Sequence, residues 1–191
     1  MRGVRSILRL SGRVSPRWLC AALGVACAAI AWMGAARAQV QASEVEVKAA
    51  FVYNFALFTS WPAGTLLANA PMVLCVAPDH ALQAALGRLA GKSVHGHRLE
   101  VRRISDGAVA GCHVAVLDDR APSQAVRLDP AAPVLTVVDG GRAARAGGAS
   151  GPMIALSLQD SRVVFDIDAA AARQAGLQLS SQLLRLARSV Q

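Results

Sequence analysis

The chain has 191 residues, of which 20 are basic and 12 acidic, for a formal charge of +8; 54% of it is hydrophobic and only 4% aromatic. Six of the arginines lie in the first 38 residues, which hold no acid, so the remainder sets 14 basic against 12 acidic residues and gives no electrostatic case for nucleic acid or anionic lipid. The 153 residues from Gln39 onward suit one domain with a sizeable core, and no internal repeat or long linker interrupts them.

Residues 1–38 read as a secretory signal peptide. Arg2, Arg5, Arg9, Arg13 and Arg17 form a basic start, 19 uncharged residues follow from Trp18 to Ala36, and Ala36-Arg37-Ala38 supplies a small-x-small cleavage pattern. The competing reading is an uncleaved anchor, because the uncharged run approaches spanning length. A lipoprotein site at Cys27 fits less well, since Gly24 stands where a bulky residue is wanted. Cleavage after Ala38 would take Cys20 and Cys27 with the leader and leave Cys75 and Cys112, an even pair in an oxidising compartment, expected to form one disulfide. Two unpaired buried thiols are the alternative. A redox-active pair would want the missing Cys-x-x-Cys spacing.

The mature chain opens with a predicted helix. Ser43 and Glu46 have capping-box spacing, and Glu44 and Glu46 would sit at the positive end of the helix dipole. Val47, Phe51, Phe55, Phe58 and Trp61 recur at helical spacing with Tyr53 and Leu57 beside them, and Pro62 and Gly64 supply the stop. Five of the six aromatic residues beyond the leader fall in this segment; the other is Phe165. The phenylalanines are expected to anchor the core. Tyr53, Asn54 and Trp61 carry polar atoms nearer the edges of the stripe, which suits them to gripping a partner.

Beyond the helix, short apolar runs alternate with amphipathic pieces. Strands are predicted in "PMVLCVA", "HRLEVRRI", "CHVAVLD" and "APVLTVVD", a hairpin in "PMIALSL" and "RVVFDID", and helices in "DHALQAALGRL", "PSQAVRL", "AAAARQAG" and "LSSQLLRLARSV". In the last helix Leu183, Leu184, Leu186, Ala187 and Val190 would form the apolar face, with Arg185 and Arg188 near the negative end of the dipole. Strands separated by helices, too continuously apolar for a one-sided sheet, indicate an α/β single-domain sandwich with a mixed β-sheet flanked by helices.

Chemistry is sparse in this pattern. His95 and His97 flank Gly96 and His113 adjoins Cys112, but four-ligand zinc spacing is absent and the histidines are expected to face solvent near a turn. The glycine-rich stretch from Gly140 to Gly151 has neither GxGxxG nor Gly-Lys-Ser/Thr and reads as a flexible connection. None of the serines lies in Gly-x-Ser-x-Gly. Asp166 and Asp168 could share one strand face, although Asp168 is more simply a helix N-cap. No catalytic residue, cofactor or metal site is expected, which favours a binding protein over an enzyme.

Taken in order, "VKAAFVYNFALFTSWP", "LCVAPD", "GKSVHGHRLEVRRI", "GCHVAVLD", "PVLTVVD", "GPMIALSLQDSRVVFDID" and "GLQLSSQLLRLA" resemble the YfiR family of bacterial periplasmic regulators. The resemblance runs from about Val47 to Ala187 and includes the positions of Cys75 and Cys112. It implies a YfiR-like domain over residues 39–191 that represses an inner-membrane diguanylate cyclase through the periplasmic sensor region of that enzyme, restraining cyclic-di-GMP synthesis and biofilm formation. A sensor kinase, an outer-membrane lipoprotein and a second copy of the chain are further partners it allows. This sequence lacks the second cysteine pair of some members around Gly147 to Met153, and Gly151-Pro152 replaces the more usual Gly-Gly. The alternative reading is a periplasmic carrier of a small ligand or metal.

Overall fold

The computed structural model describes residues 44–105, 107–119, 129–140 and 151–191. The leader, the capping residue Ser43, the helix expected in "PSQAVRL" and most of the glycine-rich connection lie outside them. The first helix, α1, spans residues 44–57, followed by β1 (Thr59–Ser60), β2 (Met72–Val76), α2 (Gln83–Gly87), β3 (Ser93–Val94), β4 (His97–Arg103) and β5 (Val114–Asp118). Then come β6 (Leu135–Asp139), β7 (Ile154–Gln159), β8 (Arg162–Ile167), α3 (Ala169–Gln174), β9 (Gln178–Leu179), α4 (Ser181–Leu186) and β10 (Ser189–Val190).

Eight strands form one mixed sheet in the order β10-β8-β7-β6-β5-β2-β4-β3. The ladder from β4 through β2, β5 and β6 to β7 is parallel. β3 closes one end antiparallel to β4; at the other, β8 pairs antiparallel with β7 and β10 parallel with β8. β1 and β9 make a separate antiparallel ribbon. The expected single-domain α/β fold is therefore the observed one, and parallel strands buried on both faces account for the near-continuous apolar runs.

Strand alternation divides the core in two. β2 sends Met72, Leu74 and Val76 to one face and Val73 and Cys75 to the other. The first face takes Val52 and Phe55 of α1, Leu86 of α2, Ala172 of α3 and Leu183 of α4. On the second face Ile104, Val109 and Cys112 cover Ala115, Leu117 and Val138. There Cys75 and Cys112 are joined by a disulfide, with a Cα–Cα distance of 5.8 Å and a sequence separation of 37. Closing a loop of that size stabilises by about 4 kcal/mol in the chain-entropy model. Cys75→Ser or Cys112→Ser is thus expected to lower the unfolding free energy by about 2–5 kcal/mol, measured by urea denaturation without reductant; an unchanged midpoint would remove the claim.

The buried side of α1 is rotated from the predicted aromatic stripe. Lys48, Ala49, Val52, Phe55, Ala56 and the following Thr59 are buried, while Phe51 and Phe58 are half-buried on one flank and Val47 is exposed. Small Ala49 and Ala56 let the helix sit close to the sheet, and the rings lean in from the side. Phe51 lies 5.7 Å and Phe55 4.9 Å, centroid to centroid, from Phe165 of β8. The helix also ends before the stop expected at Pro62, because Thr59 and Ser60 pair with β9 and the Thr59 hydroxyl donates to Phe55 O at 2.7 Å.

Two other helices are shorter than expected. α2 begins only after Leu82, its N-cap; Asp79, expected near the N-terminus, has φ +55°, outside the helix. α4 ends at Leu186, and the predicted continuation becomes β10. Leu183 is buried, but Leu186 and Val190 are exposed, and Arg188 serves a partner on β8 rather than a helix dipole. That partner is Asp166, a buried carboxylate that receives Arg188 Nε at 2.9 Å, Arg188 Nη2, and the Ser189 hydroxyl at 2.7 Å. Satisfying a buried charge outweighs about one more turn of amphipathic helix.

Candidate partner surface

Tyr53 and Trp61 lie at the β3 end of the sheet, and Asn54 follows Tyr53 on α1. Tyr53 is on the flank of α1 opposite Phe51, where its hydroxyl donates to Ser93 O at 2.8 Å and Lys92 Nζ stands 5.3 Å from its ring centroid. Asn54 is exposed. Trp61 is half-buried and meets His95 edge-on at 6.3 Å, and its Nε1 is buried with no hydrogen-bond partner among the described residues. The β3–β4 turn, His95-Gly96, takes positive φ at both positions (+50° and +82°), the geometry of a two-residue hairpin turn that glycine makes inexpensive. It aims His95 Nε2 at two carbonyls where α1 gives way to β1, 3.1 Å from Ala56 O and 2.9 Å from Thr59 O.

His95 is exposed at its turn, as expected, while its Nε2 is tied to backbone; His97 and His113 are half-buried and His80 is buried, so these three are internal ties rather than solvent-facing groups. His97 Nδ1 donates to Ala70 O at 2.8 Å. His113 Nδ1 accepts from Val73 N at 2.9 Å while its Nε2 donates to Thr65 O at 3.3 Å. His80 repeats the arrangement, accepting from Leu82 N at 3.0 Å and donating to Leu117 O at 3.3 Å. Sequence spacing could not show these ties, since every partner atom is backbone. Among the described residues no group of three or more His, Cys, Asp or Glu could hold a metal ion.

An acceptor Nδ1 requires a neutral ring, and burial pushes the pKa of both His80 and His113 below the ordinary imidazole value. Below about pH 6.5 the unfolded chain takes up protons that the folded chain refuses, so stability is full above that pH and falls as pH drops through the depressed folded values. The urea midpoint is expected to fall between pH 7.5 and 5.5; a flat midpoint would refute the two neutral ties. Asp166 titrates outside this window: burial raises its pKa, but Arg188 and Ser189 more than offset that, leaving it below the usual carboxylate value.

The carboxylates considered for acid/base work are both engaged, Asp166 as above and Asp168 as the N-cap of α3, accepting from Ala171 N at 2.8 Å. Sequence reasoning missed Lys48. Only 8% exposed, it bridges Glu44 Oε1 at 2.6 Å and Asp139 Oδ1 at 2.7 Å, tying α1 to the carboxyl end of β6. Burial lowers its pKa, but the bonds from Asp139 and Glu44 prevail and the net shift is upward. Glu44 and Lys48 are one helical turn apart, a visible signal; the β6 partner is not local.

A protein-family model described as YfiR/HmsC-like matches residues 45–188, from the first turn of α1 to the residue before β10. The chain belongs to the YfiR/HmsC-like family. No curated protein matches it. The YfiR/HmsC-like family is regulatory rather than catalytic. No helix among the described residues is long and apolar enough to cross a membrane.

Proposed function

We propose that the protein is a non-enzymatic periplasmic regulator that binds the periplasmic sensor region of an inner-membrane diguanylate cyclase and represses it, so limiting cyclic-di-GMP and biofilm formation. The match to the YfiR/HmsC-like family carries this reading, because it spans nearly every described element. Residues 1–38, with their basic start and uncharged run, support delivery to the periplasm as a signal peptide, leaving a domain of residues 39–191. Tyr53, Asn54 and Trp61 are the proposed contact: Asn54 is open to solvent, and the half-buried rings of Tyr53 and Trp61 keep part of their surface exposed. An outer-membrane lipoprotein that sequesters the regulator is a further proposed partner.

The test is a titration of residues 39–191 with the purified periplasmic region of the cyclase, alongside cellular cyclic-di-GMP in a strain lacking the regulator. Binding at micromolar concentration or tighter, together with a rise in cyclic-di-GMP on deletion, is expected. Trp61→Ala should weaken binding while leaving the protein folded. No binding and unchanged cyclic-di-GMP would overturn the regulator reading.

A further inference from the structure

At the end of the sheet opposite Tyr53 and Trp61, β8 is only half covered. Its Asp166 and Ile167 pair with β10, whereas no described strand pairs with Arg162–Val164 on that side. Residues 163, 165 and 167 point their backbone groups the same way, since ladder bonds alternate along an antiparallel strand. Phe165 O accepts from Arg188 N and Ile167 O from Gln191 N at this edge, so the N–H and C=O of Val163 emerge there too, with no hydrogen-bond partner among the described residues.

The surroundings are apolar and basic. Leu158, opposite Val163 on β7, is 49% exposed; Leu186 at the end of α4 is 69% exposed and Val190 of β10 46%. Of the five exposed large hydrophobic side chains among the described residues, Leu158 and Val190 lie on strands of this edge and Leu186 lies three residues before β10. Arg162 and Arg185 are exposed and have no ion-pair partner among the described residues. Unpaired strand backbone selects an extended segment, the leucines select apolar side chains on one of its faces, and the arginines select carboxylates. Two copies meeting here would bring four arginines together, which disfavours self-association.

We propose that the outer edge of β8 at Arg162–Val164 docks an extended, acidic segment of the protein partner, which adds to the sheet beside β10 and places carboxylates against Arg162 and Arg185. This rests on the regulator reading and deepens it: the cyclase region gains a second hold, through backbone pairing, at the far end of the sheet from Tyr53, Asn54 and Trp61.

The experiment titrates the cyclase periplasmic region with residues 39–191 as wild type, Arg162→Glu/Arg185→Glu, Val163→Pro and Trp61→Ala, with thermal unfolding of each and amide exchange of the wild-type complex. The charge-reversed variant should unfold within a few degrees of wild type yet bind at least tenfold more weakly, with a shallower salt dependence. Val163→Pro, which removes the outward N–H, should also weaken binding, and residues 158–166 should gain amide protection in the complex. If the charge reversal and Val163→Pro bind like wild type while Trp61→Ala does not, the docking edge is wrong and the regulator reading stands. Dimerisation of the regulator alone that Arg162→Glu/Arg185→Glu alters, with cyclase binding unaffected, would assign the edge to a second copy and overturn the proposal. No cyclase binding by any version would overturn both readings.

Discussion

Phe55→Ala is expected to cost about 3–5 kcal/mol, the range for removing a buried ring from a core that cannot collapse around the gap. Phe55 has no exposed surface and packs against both Phe51 and Phe165, so truncation opens a void where α1 meets β8. For a domain of this size that loss lowers the melting temperature by roughly 10 °C or more. Phe58→Ala should cost clearly less, because that ring is half-buried on the flank of the helix. Urea denaturation of the two variants side by side checks the ordering. Equal losses would mean that the aromatic stripe works as one unit and that the rotation of α1 is energetically irrelevant.

The second large effect is electrostatic. Lys48→Met keeps most of the side-chain volume but leaves the Asp139 carboxylate, 15% exposed, without its ammonium partner. Breaking one side of a buried pair costs about 3–5 kcal/mol, mainly through the stranded charge. Neutralising the survivor should therefore help: Lys48→Met/Asp139→Asn is expected to regain at least half of what Lys48→Met loses. If the double variant is as unstable as the sum of the single ones, the loss comes from packing around α1 and the ion pair contributes little.

What could be read from the sequence follows the range of the interactions. The strands at Met72–Val76, Val114–Asp118 and Leu135–Asp139 were visible because burial on both faces leaves an apolar run, and the β7–β8 hairpin because two alternating runs flank "QDS". The Asp168 cap was visible because it is local. The end of α4 was not: the apolar period continues to Val190, and only the distant Asp166 draws Arg188 and Ser189 into a strand. The solvent-facing reading fits exposed His95 but not His113, which is tied to Val73 and Thr65, 40 and 48 residues away. At the partner surface, sequence placed Tyr53, Asn54 and Trp61 at the edge of the stripe but could not show that the Tyr53 hydroxyl is already bound to Ser93 O. The Arg162 and Arg185 edge depends on sheet order, which periodicity does not encode.

The close seat of α1 on the sheet has a bearing on which sequences can carry this fold. Ala49 and Ala56 are 2% and 1% exposed beneath the helix, so a larger side chain at either would lift α1 away from the sheet or force neighbouring rotamers to strain. Exposed Asn54 and half-buried Phe58 face no such ceiling on volume. Random substitution should therefore be purged most strongly at two of the smallest and chemically plainest side chains of the helix, while the conspicuous aromatics on its flank drift more freely. Among distant descendants of this chain, the spacing of small residues would outlast the aromatic stripe as the mark of shared ancestry.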